Sequence, residues 1–160
     1  MHYWIDGYNL LFRLPKSKGS FEEKRRILIL QINEQVKNLS LSATIVFDAS
    51  DPSQNYDTRS HYDSLEIIYT HPKKSADDSI LEAVELSKQR SRHCVVSSDK
   101  GLLLKAKALG SEILSLSDFL LFLQKKQLKC TAALQSDEFR ESPREMARLL
   151  KIFSKPPKYE

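Results

Sequence analysis

Short apolar runs alternate along this chain with stretches whose apolar residues recur every three or four positions. The runs at 3–5, 44–47, 65–69, 94–97 and 112–114 are rich in Ile, Val, Tyr and Phe, which predicts short buried strands. Between them, serines stand three residues ahead of an acid at Ser20/Glu23, Ser75/Asp78, Ser115/Asp118 and Ser142/Glu145. At that spacing the serine oxygen accepts a free N–H of a first helical turn while the acid reaches back, so each pair predicts a helix start. Leu28, Ile32, Val36 and Leu39 share one helical face, as do Ile80, Leu81 and Val84 with Ala83 beside them. A third helix is expected from near Gly101 to a terminating Gly110, and a fourth carries Phe119, Leu120, Phe122 and Leu123. Strand and helix in alternation predict a parallel α/β sheet. The polar segment 50–62, with Tyr56, Arg59, His61 and Tyr62, reads as a long connection, either plain surface or a nucleic-acid contact. Beyond Lys129 the period weakens, and CTAALQSDEFRES reads as a connection or short helix. Pro143 then opens a last helix with Met146, Leu149, Leu150 and Phe153 on one stripe and Arg144, Arg148 and Lys151 around it.

Composition alters this picture little. A chain of 160 residues, 41% hydrophobic and 29% charged, suits one globular core. No apolar run is long enough to span a bilayer, and no secretory leader is visible. Cys94 and Cys130 lack metal-ligand spacing, so a reducing, cytoplasmic setting is expected and zinc is not. Charge is more informative. Residues 125–160 hold nine Lys or Arg against five Asp or Glu, a surplus of four that equals the whole net charge of +4. A basic amphipathic tail suits contact with a polyanion, and it equally suits a solvated helix packed on the body.

The candidate chemistry lies after the strands, where parallel α/β sheets bind their ligands. The first run ends on Asp6 and the second on Asp48; the third leads to Asp77 and Asp78, and the fourth to Asp99. Each acid alone could be a cap or a turn residue. Several carboxylates converging on one volume, however, repel unless a cation neutralises them. Oxygen donors without His or Cys favour Mg²⁺ or Mn²⁺, one or two ions, and such ions serve phosphodiester hydrolysis. Asn9 and Ser98 stand beside Asp6 and Asp99 and could hydrogen-bond the carboxylates, with a turn role open for Asn9. Gly7 would let the chain turn away from the site. Arg13, Lys73 and Lys74 are candidates for holding flanking phosphates. Tyr8 reads as core packing or as a stacking surface for a base.

The motifs I-D-G-Y-N at 5–9, V-F-D-A at 46–49, S-A-D-D at 75–78 and S-S-D at 97–99 resemble the YacP-like NYN branch of the PIN-domain nucleases. The resemblance covers residues 1 to about 125 and leaves 126–160 as a basic helical extension outside it. It implies a three-layer α/β/α PIN-like fold around a central, mostly parallel sheet of about five strands. It also implies a divalent-metal endoribonuclease, with RNA, in particular mRNA, as substrate and the ribosome as an associated partner in some members. By this resemblance Asp6, Asp77 and Asp99 correspond to the core metal-binding and catalytic acids, and Asp78 and Asp48 to further stations. The contrasting reading is a non-catalytic RNA- or ribosome-binding module on the same fold. A dinucleotide-binding enzyme is disfavoured, since four glycines supply neither G-x-G-x-x-G nor a Walker A loop.

Overall fold

The first apolar run lies inside the sheet. A computed structural model describes residues 1–13, 19–49, 53 and 55–138, and of residues 134–138 only the backbone. Strand β1 (His2–Asp6) pairs in parallel with β2 (Ser42–Phe47) on one side and β5 (His93–Ser97) on the other. Outward from these lie β4 (Leu65–Tyr69), parallel to β2, and β6 (Glu112–Ser115), parallel to β5. The sixth strand, β3 (Thr58–Tyr62), runs antiparallel along the edge of β4, giving the order β3-β4-β2-β1-β5-β6. The sheet thus has six strands rather than about five, and the extra one lies within the segment read as a connection. Its sequence TRSHY has no buried apolar alternation, because it lines a solvated edge and pairs through its backbone.

Side-chain parity splits the core. Tyr3, Ile5, Ile45, Phe47, Ile67 and Val96 face one layer. That layer comprises α1 (Gly7–Arg13), α2 (Phe21–Asn38) and the start of α5 (Leu116–Glu138). Trp4, Val46, Ile68 and Val95 face the other, made of α3 (Ala76–Leu86) and α4 (Lys100–Ala108). A three-layer α/β/α arrangement results.

The caps behave largely as their spacing predicts. Ser20 and Glu23 form a complete capping box on α2. Ser75 caps α3 through the Asp78 N–H, and Ser115 accepts the Asp118 N–H at the start of α5. Gly110 follows α4 at φ +96°. Two expectations change. The chain does not turn loosely at Gly7 but enters α1 there directly, and α5 continues unbroken to Glu138, well into the stretch read as a connection or short helix. The helix expected from Pro143 lies outside the described residues. By contact the chain divides into a unit Met1–Gln127 and a unit Leu128–Glu160, the described part of the latter being the end of α5. Among the described residues no helix is long and apolar enough to cross a membrane.

Candidate active site

The same parity that divides the core aims the acids. Asp6 continues the alternation of Trp4, Asp48 that of Val46, and Ser97 that of Val95, so all three face the α3/α4 layer. Register adds the rest: Ile5 lies opposite Val96, and the next step along both strands brings Asp6 beside Ser97. Asp6 is 6% exposed and Ser97 fully buried.

Ser97 is the hub of this edge. Its hydroxyl donates to Asp6 Oδ2 at 3.3 Å and accepts from Asn9 Nδ2 at 3.2 Å and the Asp99 N–H at 3.0 Å. Asn9 also donates its side-chain amide to Asp6 Oδ2 and its backbone N–H to Asp6 Oδ1 at 3.3 Å. Asn9 is therefore both a residue of the first turn of α1 and a direct partner of the buried carboxylate. Asp99 caps α4, its Oδ1 accepting from Gly101 N at 2.7 Å and Leu102 N at 3.2 Å. Asp48 reaches across to α3, where its Oδ1 accepts from Ala76 N at 2.8 Å. Asp77 and Asp78 occupy the first turn of α3, whose positive dipole end favours them.

The capping roles and the convergence therefore coexist. Asp77 is the electrostatic focus. Burial first, and then the charges of Asp6, Asp99, Asp48 and Asp78, push its carboxyl up to about 6 from the ordinary 3.8. Among the described residues no Lys or Arg forms an ion pair with any of these five acids. Asp77 accepts no hydrogen bond there, and Asp48 and Asp99 each keep Oδ2 uncommitted. No three His, Cys, Asp or Glu side chains among the described residues form a ready-made metal group. Asp77, Asp78 and Asp99 line a cleft of about 270 Å³, shared with Ser75, Leu81 and Lys105.

A raised carboxyl means that ionising Asp77 costs folding free energy. Below about pH 4 the group is protonated in both folded and unfolded chains and contributes nothing. The cost grows as pH rises from 4 to 6 and is complete above 6. In EDTA, Asp77→Asn is expected to raise the Tm above pH 6 by about 3 °C, on the order of 1 kcal/mol for a partly buried side chain. Thermal melts across pH 3.5–8 check this; a gain that does not fade below pH 4 would assign the effect to something other than charge.

The remaining candidates separate. Arg13 belongs to this edge, donating to Ser98 Oγ at 3.4 Å and Ser117 Oγ at 3.0 Å. Ser98 thus serves Arg13, and its neighbour Ser97 makes the contacts to the carboxylates. Lys74 is engaged elsewhere, paired with Glu82 and 4.0 Å from Asp57, while Lys73 is exposed. Tyr8 is packed, stacking on Phe21 and meeting Phe47 edge-on at 5.5 Å. Sequence reading missed Ser97 and Lys105. The former could be found from its parity with Val95, whereas Lys105 carries no local signal.

A six-stranded, mostly parallel sheet with acids gathered at the carboxyl ends of its strands defines a PIN-like fold. The family model for the YacP-like NYN domain matches residues 3–153, and the chain belongs to that family. It is a family of PIN-like ribonucleases. The match runs well past residue 125, so most of the segment left outside the motif resemblance falls within the family's span. Among solved structures the chain is similar to Rae1 (YacP) from Bacillus subtilis, at 21% identity and TM-score 0.66 over 96% of this chain and 92% of that one. The W164L mutant of that protein aligns at 22% identity and TM-score 0.63, over 99% and 86%. At this identity the likeness carries the fold. No curated protein matches the chain.

Proposed function

We propose that this protein is a divalent-metal-dependent endoribonuclease whose reaction takes place at the Asp6–Asp77–Asp99 edge. The observation that carries the reading is a set of five carboxylates, one of them pushed up to about 6 by burial and by the charges of the other four, with no cationic side chain among the described residues paired to any. The donor set is all oxygen, which fits Mg²⁺ or Mn²⁺. Asp6, Asp77 and Asp99 would hold one or two ions, with Asp78 and Asp48 supplying further oxygens. When bound, such an ion acidifies water and offsets charge on a scissile phosphate.

The chain's own residues do the rest. Asn9 and Ser97 hold the Asp6 carboxylate from two sides, and Ser97 ties it to the first residues before α4. Asp48 and Ser75 fix the start of α3 and hence Asp77. Arg13, hydrogen-bonded to Ser98 beside Asp99, and Lys105, in the lining of the cleft, would hold phosphates flanking the cut. Arg13→Ala and Lys105→Ala should each raise KM more than they lower kcat and flatten the salt dependence of binding by about one ion. Equal falls in kcat with unchanged KM would remove these two from the binding role.

Cleavage of a single-stranded RNA in Mn²⁺ or Mg²⁺, and its loss in EDTA, tests the activity. RNA binding that survives EDTA without cleavage in either metal is the result expected of the non-catalytic module. Comparing naked with ribosome-bound mRNA tests the ribosomal form of the substrate that the family resemblance implies.

A further inference from the structure

The sheet edge opposite the acids holds a second hollow, of about 440 Å³, lined by His2, Ser42, Ser87, Lys88, Arg92 and His93. His2 begins the strand that Asp6 ends, so the two sites lie roughly 13 Å apart along β1. No carboxylate is among the residues that line it. Lys88 and Arg92 form no ion pair among the described residues.

The hydrogen bonds beneath the hollow determine which groups remain free. Trp4 Nε1 can only donate, and it donates to His93 Nδ1 at 2.9 Å. His93 is therefore neutral, with its proton on Nε2, which it gives to Ser87 Oγ at 2.8 Å. Ser87 also accepts from the Gln89 N–H at 3.1 Å, so both its lone pairs are used and its own O–H is uncommitted among the described residues. On the other side Glu66 accepts from Arg59 Nη1 at 3.2 Å and from Thr44 Oγ1 at 3.1 Å. With its proton spent there, Thr44 accepts from His2 Nε2 at 2.9 Å, and His2 Nδ1 accepts from Ser42 at 2.7 Å. Among the described residues the groups left to meet a ligand are chiefly donors and cations, the Ser87 hydroxyl, Lys88 and Arg92, beside the Gln89 amide, which offers both an N–H₂ and an oxygen. His2 can add to them, because a proton gained at Nδ1 turns Ser42 into an acceptor and makes the ring a cation.

We propose that this hollow binds a phosphate group, with Lys88, Arg92 and a protonated His2 supplying charge, and with Ser87 and the Ser42 hydroxyl that a charged His2 frees supplying hydrogen bonds. The phosphate can come from an RNA backbone lying away from the acid edge or from a small phosphate ligand. The site is independent of the endonuclease reading, because none of its residues belongs to the acid edge.

The test follows the imidazole NMR signals of His2 and His93 at pH 7 in EDTA, with inorganic phosphate in one arm and hexauridylate in another. Saturable movement of both rings is expected, unchanged in Asp77→Asn and weakened at least about tenfold in Lys88→Ala/Arg92→Ala, the scale of one lost charge-assisted hydrogen bond. His2 should also titrate at higher pH with ligand bound. It does so against the unchanged background of His93, Glu66, Lys88, Arg92 and the chain's amino group, which a purely structural histidine would not register. Tighter binding of hexauridylate identifies an RNA path; movement with phosphate alone identifies a small ligand. No movement in either arm, or movement that persists undiminished in the double variant, overturns the proposal.

Discussion

Asp6→Asn and Asp77→Asn should each lower RNA cleavage by roughly 10²–10³-fold, the scale on which single electrostatic groups act in catalysis. The two variants probe different features of one site. Asp6 is buried and held by Asn9 and Ser97, so an amide there removes the charge and also meets the Asn9 and Ser97 donors with its own N–H₂. Asp77 accepts no hydrogen bond among the described residues and is lifted by burial and then by its neighbours' charges, so an amide there relieves desolvation and repulsion while removing an oxygen donor. Activity should therefore collapse in both, while the metal-free fold is strained in Asp6→Asn and relaxed in Asp77→Asn. Single-turnover cleavage in Mn²⁺, read beside circular dichroism, measures both effects. Wild-type rates in both variants would mean that the acid edge is not where RNA is cut.

Gly7→Ala should destabilise the fold by about 1–3 kcal/mol, the usual cost of inserting an atom into a filled core. A Cβ at Gly7 would lie 2.5 Å from Phe47 Cδ1 and Cε1 and 2.9 Å from Ile45 Cγ2. Neither neighbour has room to retreat. Phe47 is fully buried, stacked on Tyr69 at 5.5 Å, met edge-on by Tyr8 and covered by the Arg25 guanidinium. Relief has to come from moving α1 off the sheet, and α1 carries Asn9. Gly7→Ala should thus lower both the Tm and the cleavage rate. A variant that melts like the wild type would show that the β1–α1 junction tolerates the extra carbon. The glycine in I-D-G-Y-N is there for close approach of helix to sheet, and not for a loose turn.

Much of this was legible in the chain because the signals are local. Alternating apolar runs marked five strands, and serine–acid spacing marked three helix starts that lie within the described residues. The four stations of acids stood out because each follows a strand. What stayed hidden depends on partners distant in sequence. Strand β3 is polar and is recognisable only through its pairing with β4. Lys74 was a candidate for holding phosphates and is paired with Glu82, in the second turn of α3. Ser98 was the nearer guess beside Asp99, yet Ser97 meets Asp6, because a strand sends successive side chains to opposite faces.

Period, cap and motif established the elements and named the acids, since those depend on residues a few positions apart. Convergence could not be read in this way. It needs the register of β1 against β5 and the crossing of Asp48 to Ala76, which bring residues up to 91 positions apart within a hydrogen bond. The lift on Asp77 and the cation-bearing hollow at the other end of β1 arise from the same cause: burial, charges and hydrogen bonds act through space, and only the packed elements set those distances.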